Sequence, residues 1–167
     1  GGDYMIKIAL TNLESYNEGE LVYEWVDLPC EDFTDAFAAI GNPEEYFISD
    51  YECEIPHMIV REYENLEQLN EIAEELECLT PYQIRVLTAI MENDGADIDY
   101  ALLTLDEERY YYYETDDFDD FIDVAIDDGL FGDVPQTIKR FLDYDELRNY
   151  FENNGYQLTS TGIINTY

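Results

Sequence analysis

The sequence predicts an α+β protein laid out as a row of small units, and three observations lead there. Alternating or β-branched and aromatic stretches lie near both ends, while the middle repeats its apolar residues at helical spacing. Proline and glycine punctuate the chain between these stretches, at Pro29, Gly41, Pro81, Gly95, Gly129, Gly132 and Pro135. The 167 residues are 46% apolar and 15% aromatic, which is enough to build cores, and this length holds one ordinary domain or two to three small ones.

The first unit is expected over 5–63. MIKIALTNL, 5–13, alternates as a strand; YNEGE supplies a glycine-centred turn, and LVYEWVDL, 21–28, is a second strand that Pro29 stops. CEDFTDAFAAIG, 30–41, places Phe33, Phe37 and Ile40 at helical spacing, with acids in its first turn and Gly41 as C-terminal cap. EYFISDYEC, 45–53, returns to strand composition.

A mainly helical middle unit is expected over 64–103. LEQLNEIAEELECL puts Leu66, Leu69, Ile72, Ala73, Leu76 and Leu79 on one face. Thr80 and Pro81 open a second helix with a stripe of Ile84, Leu87, Ile90 and Met91, closed by Gly95. ADIDYALL reads as a short connection whose state its residues leave open.

The third unit, 104–167, starts with an aromatic run, ERYYYYET, that favours an extended segment. An acidic helix follows, in which Phe118, Phe121, Ile122, Ala125 and Ile126 cover one face and aspartates take most of the remaining circumference. GLFGDVP breaks it. One amphipathic helix is expected over QTIKRFLDYDELRNYFENNG, through Ile138, Phe141, Leu142, Leu147 and Phe151, and YQLTSTGIINTY closes as one or two short strands. Three units in a row predict an elongated molecule with acidic helices on its surface. Internal repeats are not evident.

Charge is the feature that asks for a function. The chain has 41 Asp and Glu against 7 Lys and Arg, a formal net charge of −34. Solubility of a small domain needs roughly 2 to 8 units, and an excess of one sign destabilises the compact state by self-repulsion. Residues 108–129 alone hold nine carboxylates and one Arg. A lone charge run is ordinarily a solvated face, but the same excess recurs in DLPCEDFTD, in Glu62 to Glu77 and in the last third. Such a surface repels nucleic acid and anionic membranes and attracts basic surfaces.

Other classes find little support. No run of eighteen apolar residues occurs, which argues against a membrane span, and GGDYMIKIALTNL has neither a basic leader nor an apolar secretory stretch. Gly1 and Gly2 are expected to precede a natural start at or near Met5. Cys30, Cys53 and Cys78 are odd in number and widely spaced, as expected of reduced thiols in a cytoplasmic protein. The single histidine, His57, has no ligand-spaced companion, so a structural or surface role is expected. G-x-S-x-G, H-E-x-x-H, GxxxxGK[ST], C-x-x-C and G-x-G-x-x-G are all missing. Asp94, Asp97 and Asp99 in NDGADIDY depart from the order of an EF-hand loop, and no carboxylate pair stands out for glycoside hydrolysis. No catalytic residue, cofactor or metal site is expected.

Duplex DNA carries one charge per about 1.7 Å of axis, so a charge of −34 equals that of about 58 Å of duplex, or about 17 base pairs. Helices hold carboxylates at fixed spacing on a rigid surface, where they can stand in for phosphates against a partner's Arg and Lys groups. The physical reading is a protein decoy for DNA. The alternative is a general acidic shield or chaperone for another basic DNA-binding protein, which would bind many basic partners loosely.

Four segments in order, MIKIALTNLESYNEGELVYEWVDLP, EEYFISDYECEIP, DDFIDVAIDDGLFGDVPQTIKRFLDY and the closing GIINTY, give the chain a resemblance from about Met5 to Tyr167 to the ArdA family of antirestriction proteins. The resemblance implies three small domains in a curved, elongated subunit that forms a homodimer through its C-terminal region in the bacterial cytoplasm. It implies a partner as well: type I restriction-modification enzymes, chiefly the methyltransferase core with its sequence-reading subunit, whose DNA groove the protein occupies. The target-binding acidic surface would then fall on Asp116, Asp117, Asp119, Asp120, Asp123, Asp127 and Asp128. The tyrosine run Tyr110, Tyr111, Tyr112 and Tyr113 is open between sheet packing, dimer contact and target contact. GGDY lies outside the family pattern.

Overall fold

The computed structural model describes residues 5–167, so Gly1, Gly2 and the rest of GGDY lie outside the described residues. The fold is α+β, with several helices and two three-stranded antiparallel sheets, and the chain divides into two compact units at Thr80 and Pro81. Residues 64–103, expected as a middle unit, supply one helix to the first unit and two to the second.

In the first unit β1 (Ile6–Asn12) is the central strand, paired on one side with β2 (Tyr23–Leu28) and on the other with β3 (Tyr46–Cys53). Ile6 lies opposite both Leu28 and Cys53. Its central place explains why six of its seven residues are buried. The strand stops one residue earlier than expected because Asn12 turns the chain. Its Oδ1 accepts from the Ser15 N–H at 3.0 Å, capping the short α1 (Leu13–Asn17), while its Nδ2 donates to the Ile40 carbonyl at 2.9 Å. That carbonyl lies at the end of α2 (Thr34–Ala39). The third helix, α3 (Leu66–Glu77), packs against β2 and buries Leu66, Leu69, Ala73 and Leu76, with Ile72 and Leu79 half-buried at the rim of the expected stripe.

The second unit opens with α4 (Pro81–Asp94), which is buried over six consecutive residues, Val86 to Met91, rather than along one stripe. It is enclosed because α5 (Ile98–Asp106) packs on one side and the C-terminal sheet on another. The helix α5 occupies what read as a short connection. Asp97 caps it, accepting from the Tyr100 N–H at 3.0 Å, and its apolar surface covers α4.

The second sheet has the order β4 (Tyr110–Tyr113), β6 (Ile163–Thr166), β5 (Gln157–Leu158). Neighbouring side chains on β6 point to opposite faces. Ile163 joins the core of α6 (Phe118–Asp127) and α8 (Tyr144–Asn153), and α4 also packs against β6. Phe121 is the hub of the α6 core, its ring 4.8 Å from Phe151, 4.9 Å from Tyr113 and 5.3 Å from Tyr156. Edge-on and offset contacts of this kind add to the burial of the rings themselves.

Where one helix was expected after Pro135, the structure has two. The short α7 (Gln136–Lys139) ends at Arg140, and Asp143 restarts the chain as the cap of α8, accepting from the Asp145 and Glu146 N–H groups at 3.1 and 3.2 Å. Consequently Ile138 and Phe141, expected on the buried stripe, are exposed, Phe141 by 71%. A local cap outweighed the apolar period.

Candidate functional site on the acidic helix

The acidic helix forms where its residues predict. Asp117 is its N-cap and accepts from the Asp119 N–H at 2.9 Å, while Thr115 accepts from the Asp117 N–H at 3.2 Å. Asp119 and Asp120 in the first turn complement the positive end of the helix dipole. Phe118, Phe121, Ile122, Ala125 and Ile126 are all buried, as their spacing requires. Gly129, with φ +83°, reverses the chain, and Leu130 N–H returns to the Ala125 carbonyl at 3.0 Å.

Every aspartate of the expected surface is exposed: Asp116 just ahead of the helix, Asp117 at its cap, Asp119, Asp120, Asp123 and Asp127 along it, and Asp128 at its C-terminal end. Two partners with no signal in the sequence hold part of this face. Lys139 Nζ of α7 lies 2.5 Å from Asp127 Oδ1, and the Tyr144 hydroxyl of α8 donates to Asp123. That hydrogen bond, which only the protonated phenol can donate, pushes the Tyr144 pKa up to about 12, helped by desolvation and by the charges of Asp123, Asp119 and Asp127. The last turn of α6 has no basic residue of its own. Lys139 therefore supplies, from another element, the positive charge that the negative end of the dipole favours.

The four tyrosines alternate as a strand should. Tyr113 reaches the α6 core, and Tyr111 lies 5.1 Å from the Tyr167 ring. On the opposite side Tyr112 stacks edge-on with Tyr82 at 5.7 Å and donates to the Thr161 carbonyl at 2.6 Å. Burial raises the phenol pKa values of Tyr110, Tyr112 and Tyr113. Much of the run therefore packs within its own unit.

The remaining candidates have plain structural settings. His57 is exposed with φ +69°. Asp97 is a helix cap, and Asp94 Oδ1 accepts from Asn93 Nδ2 and from the Thr166 hydroxyl at 2.8 and 3.0 Å. Among the described residues no group of three or more His, Cys, Asp or Glu side chains is placed to hold a metal ion. Cys30, Cys53 and Cys78 are unpaired, and burial raises the first two thiols. No helix is long and apolar enough to cross a membrane among the described residues.

The family profile described as Antirestriction protein (ArdA) matches residues 8–165, nearly the whole chain. The chain belongs to the ArdA family. A search of curated proteins returned no match. ArdA proteins are non-enzymatic mimics of DNA that act against type I restriction-modification systems, and that is the function of this chain. The net charge of −34, equal to that of about 17 base pairs of duplex, fits such a mimic.

Proposed function

We propose that the seven aspartates Asp116, Asp117, Asp119, Asp120, Asp123, Asp127 and Asp128 stand where DNA phosphates would stand in the groove formed by the type I methyltransferase core and its sequence-reading subunit. What supports this is the build of α6: its apolar face is locked into a core around Phe121, so the opposite carboxylates keep fixed positions. A basic groove meeting such a surface gains electrostatic steering and many charge-assisted contacts.

The same reading takes the functional form as a homodimer of elongated, curved subunits in the bacterial cytoplasm, with 5–63, 64–103 and 104–167 as their three small domains and nucleic acid excluded as a partner. The sheet order leaves one edge of β4 without a partner strand in its own sheet, which supports Tyr110 to Tyr113 as part of the dimer contact.

The test is a titration of the protein into a purified type I methyltransferase core carrying labelled cognate duplex, at fixed salt, with complex mass read by light scattering. Stoichiometric displacement of DNA by one dimer is expected. Charge reversal of Asp116, Asp117, Asp119 and Asp120 together should weaken displacement markedly, and full inhibition by that variant in folded form would remove this face from the site.

A further inference from the structure

The seven aspartates differ in what already holds them, and the difference carries an assignment that rests on the target-binding reading above. Asp117 is spent on the helix cap, Asp123 accepts from Tyr144, and Asp127 is paired with Lys139. Among the described residues no side-chain donor or cation reaches the carboxylates of Asp116, Asp119, Asp120 or Asp128. Along the helix, Asp119, Asp123 and Asp127 follow one another at four-residue steps, about 6 Å apart, on the side that meets α7 and α8. Asp120 and Asp128 belong to the neighbouring row, with the exposed Val124 between them.

We infer that the acidic face is divided in function: Tyr144 and Lys139 are positioning residues that fasten α6 to α7 and α8 through Asp123 and Asp127, and of the seven aspartates Asp116, Asp119, Asp120 and Asp128 carry most of the contact with the target's basic groups. A carboxylate that already accepts from an internal donor has one oxygen occupied and part of its charge satisfied, so an incoming Arg or Lys gains less from it than from an open one. Lys139 adds a second effect, because it cancels the charge of Asp127 and repels an incoming Arg or Lys. The unpaired carboxylates carry neither handicap. Tyr144 and Lys139 also hold the helix against the repulsion of its own charges, which keeps the outward row at fixed spacing.

Two variants of the full chain with equal loss of charge separate these roles. Asp120→Asn with Asp128→Asn removes two outward carboxylates, one at each end of the helix, so their effects on the dipole oppose each other and stability should change little. Asp123→Asn with Asp127→Asn removes the two fastened ones. In the displacement titration the first pair should raise the half-inhibiting concentration about tenfold with an unchanged melting temperature. The second should lower the melting temperature and raise the half-inhibiting concentration clearly less than the first does, measured well below melting. Tyr144→Phe, which removes one hydroxyl and no charge, should behave as the second pair and keep the salt dependence of inhibition unchanged.

If the second pair, or Tyr144→Phe in folded form, loses as much inhibition as the first, the division is overturned while the acidic face stands. If neither pair alters inhibition, α6 is not the contact, and the target-binding reading itself falls.

Discussion

The side-chain amide of Asn70 completes both backbone hydrogen bonds of Cys30, accepting from its N–H at 2.8 Å and donating to its carbonyl at 2.9 Å across 40 residues of sequence. The contact fastens α3 to the segment that leaves β2, at a point where neither backbone group has a strand partner. Asn70→Ala leaves both groups unsatisfied in a partly buried place. We expect a loss of about 2 to 3 kcal/mol in chemical denaturation, carried by the unit that ends at Thr80.

Gly162 sits where no side chain fits. A Cβ there would lie 2.5 Å from the Tyr113 carbonyl oxygen and 2.7 Å from the Tyr112 ring, both on the strand that pairs with β6. Gly162→Ala should push β4 from β6 and cost about 1 to 3 kcal/mol by thermal melting. Gly95→Ala is a useful contrast: nothing stands within 4 Å of its Cβ, so only the cost of its positive φ of +59° is incurred.

The Tyr144 phenol makes the stability of the second unit depend on alkaline pH. Its pKa in the folded chain, about 12, lies above the ordinary value of 10.0, so the folded state holds this proton more tightly. The stabilisation is fully present below pH 10 and is lost as pH rises from there through 12. Ultraviolet titration of the phenolates in the wild type and in Tyr144→Phe should differ by one late-titrating group. The variant should lose less stability over that window.

Salt should act in opposite directions on folding and on target binding. With a net charge of −34, raising ionic strength screens repulsion within the chain, so the melting temperature should rise between 50 and 500 mM salt, an interval chosen to span Debye lengths of roughly 14 to 4 Å. Affinity for the type I enzyme should fall across the same interval, because the carboxylate contacts are screened. Parallel melts and titrations check both slopes.

Much of the fold was legible because it rests on local spacing. Leu66, Leu69, Ala73 and Leu76 of α3 and the apolar face of α6 are periodic and buried as their period predicts, while β1 forms where its alternation places it but is buried on both faces because it is the central strand. The expectations that failed were decided by one polar side chain or by a neighbour: Asp143 divided the run through 136–155 by capping a new helix, Asp97 started a helix in a supposed connection, and α4 was buried beyond its stripe because other elements enclose it.

The sequence by itself determined the charge, the seven aspartates opposite an apolar face, and the ordered segments that mark the ArdA family, since composition and short-range period are properties of the chain alone. Only the tertiary structure decided which aspartates are held and which are open. Lys139 lies 12 residues from Asp127, and Tyr144 lies 21 from Asp123. Separations of that kind have no period, and a hydrogen bond across them exists only once the packing of α6 against α8 has fixed where each side chain ends.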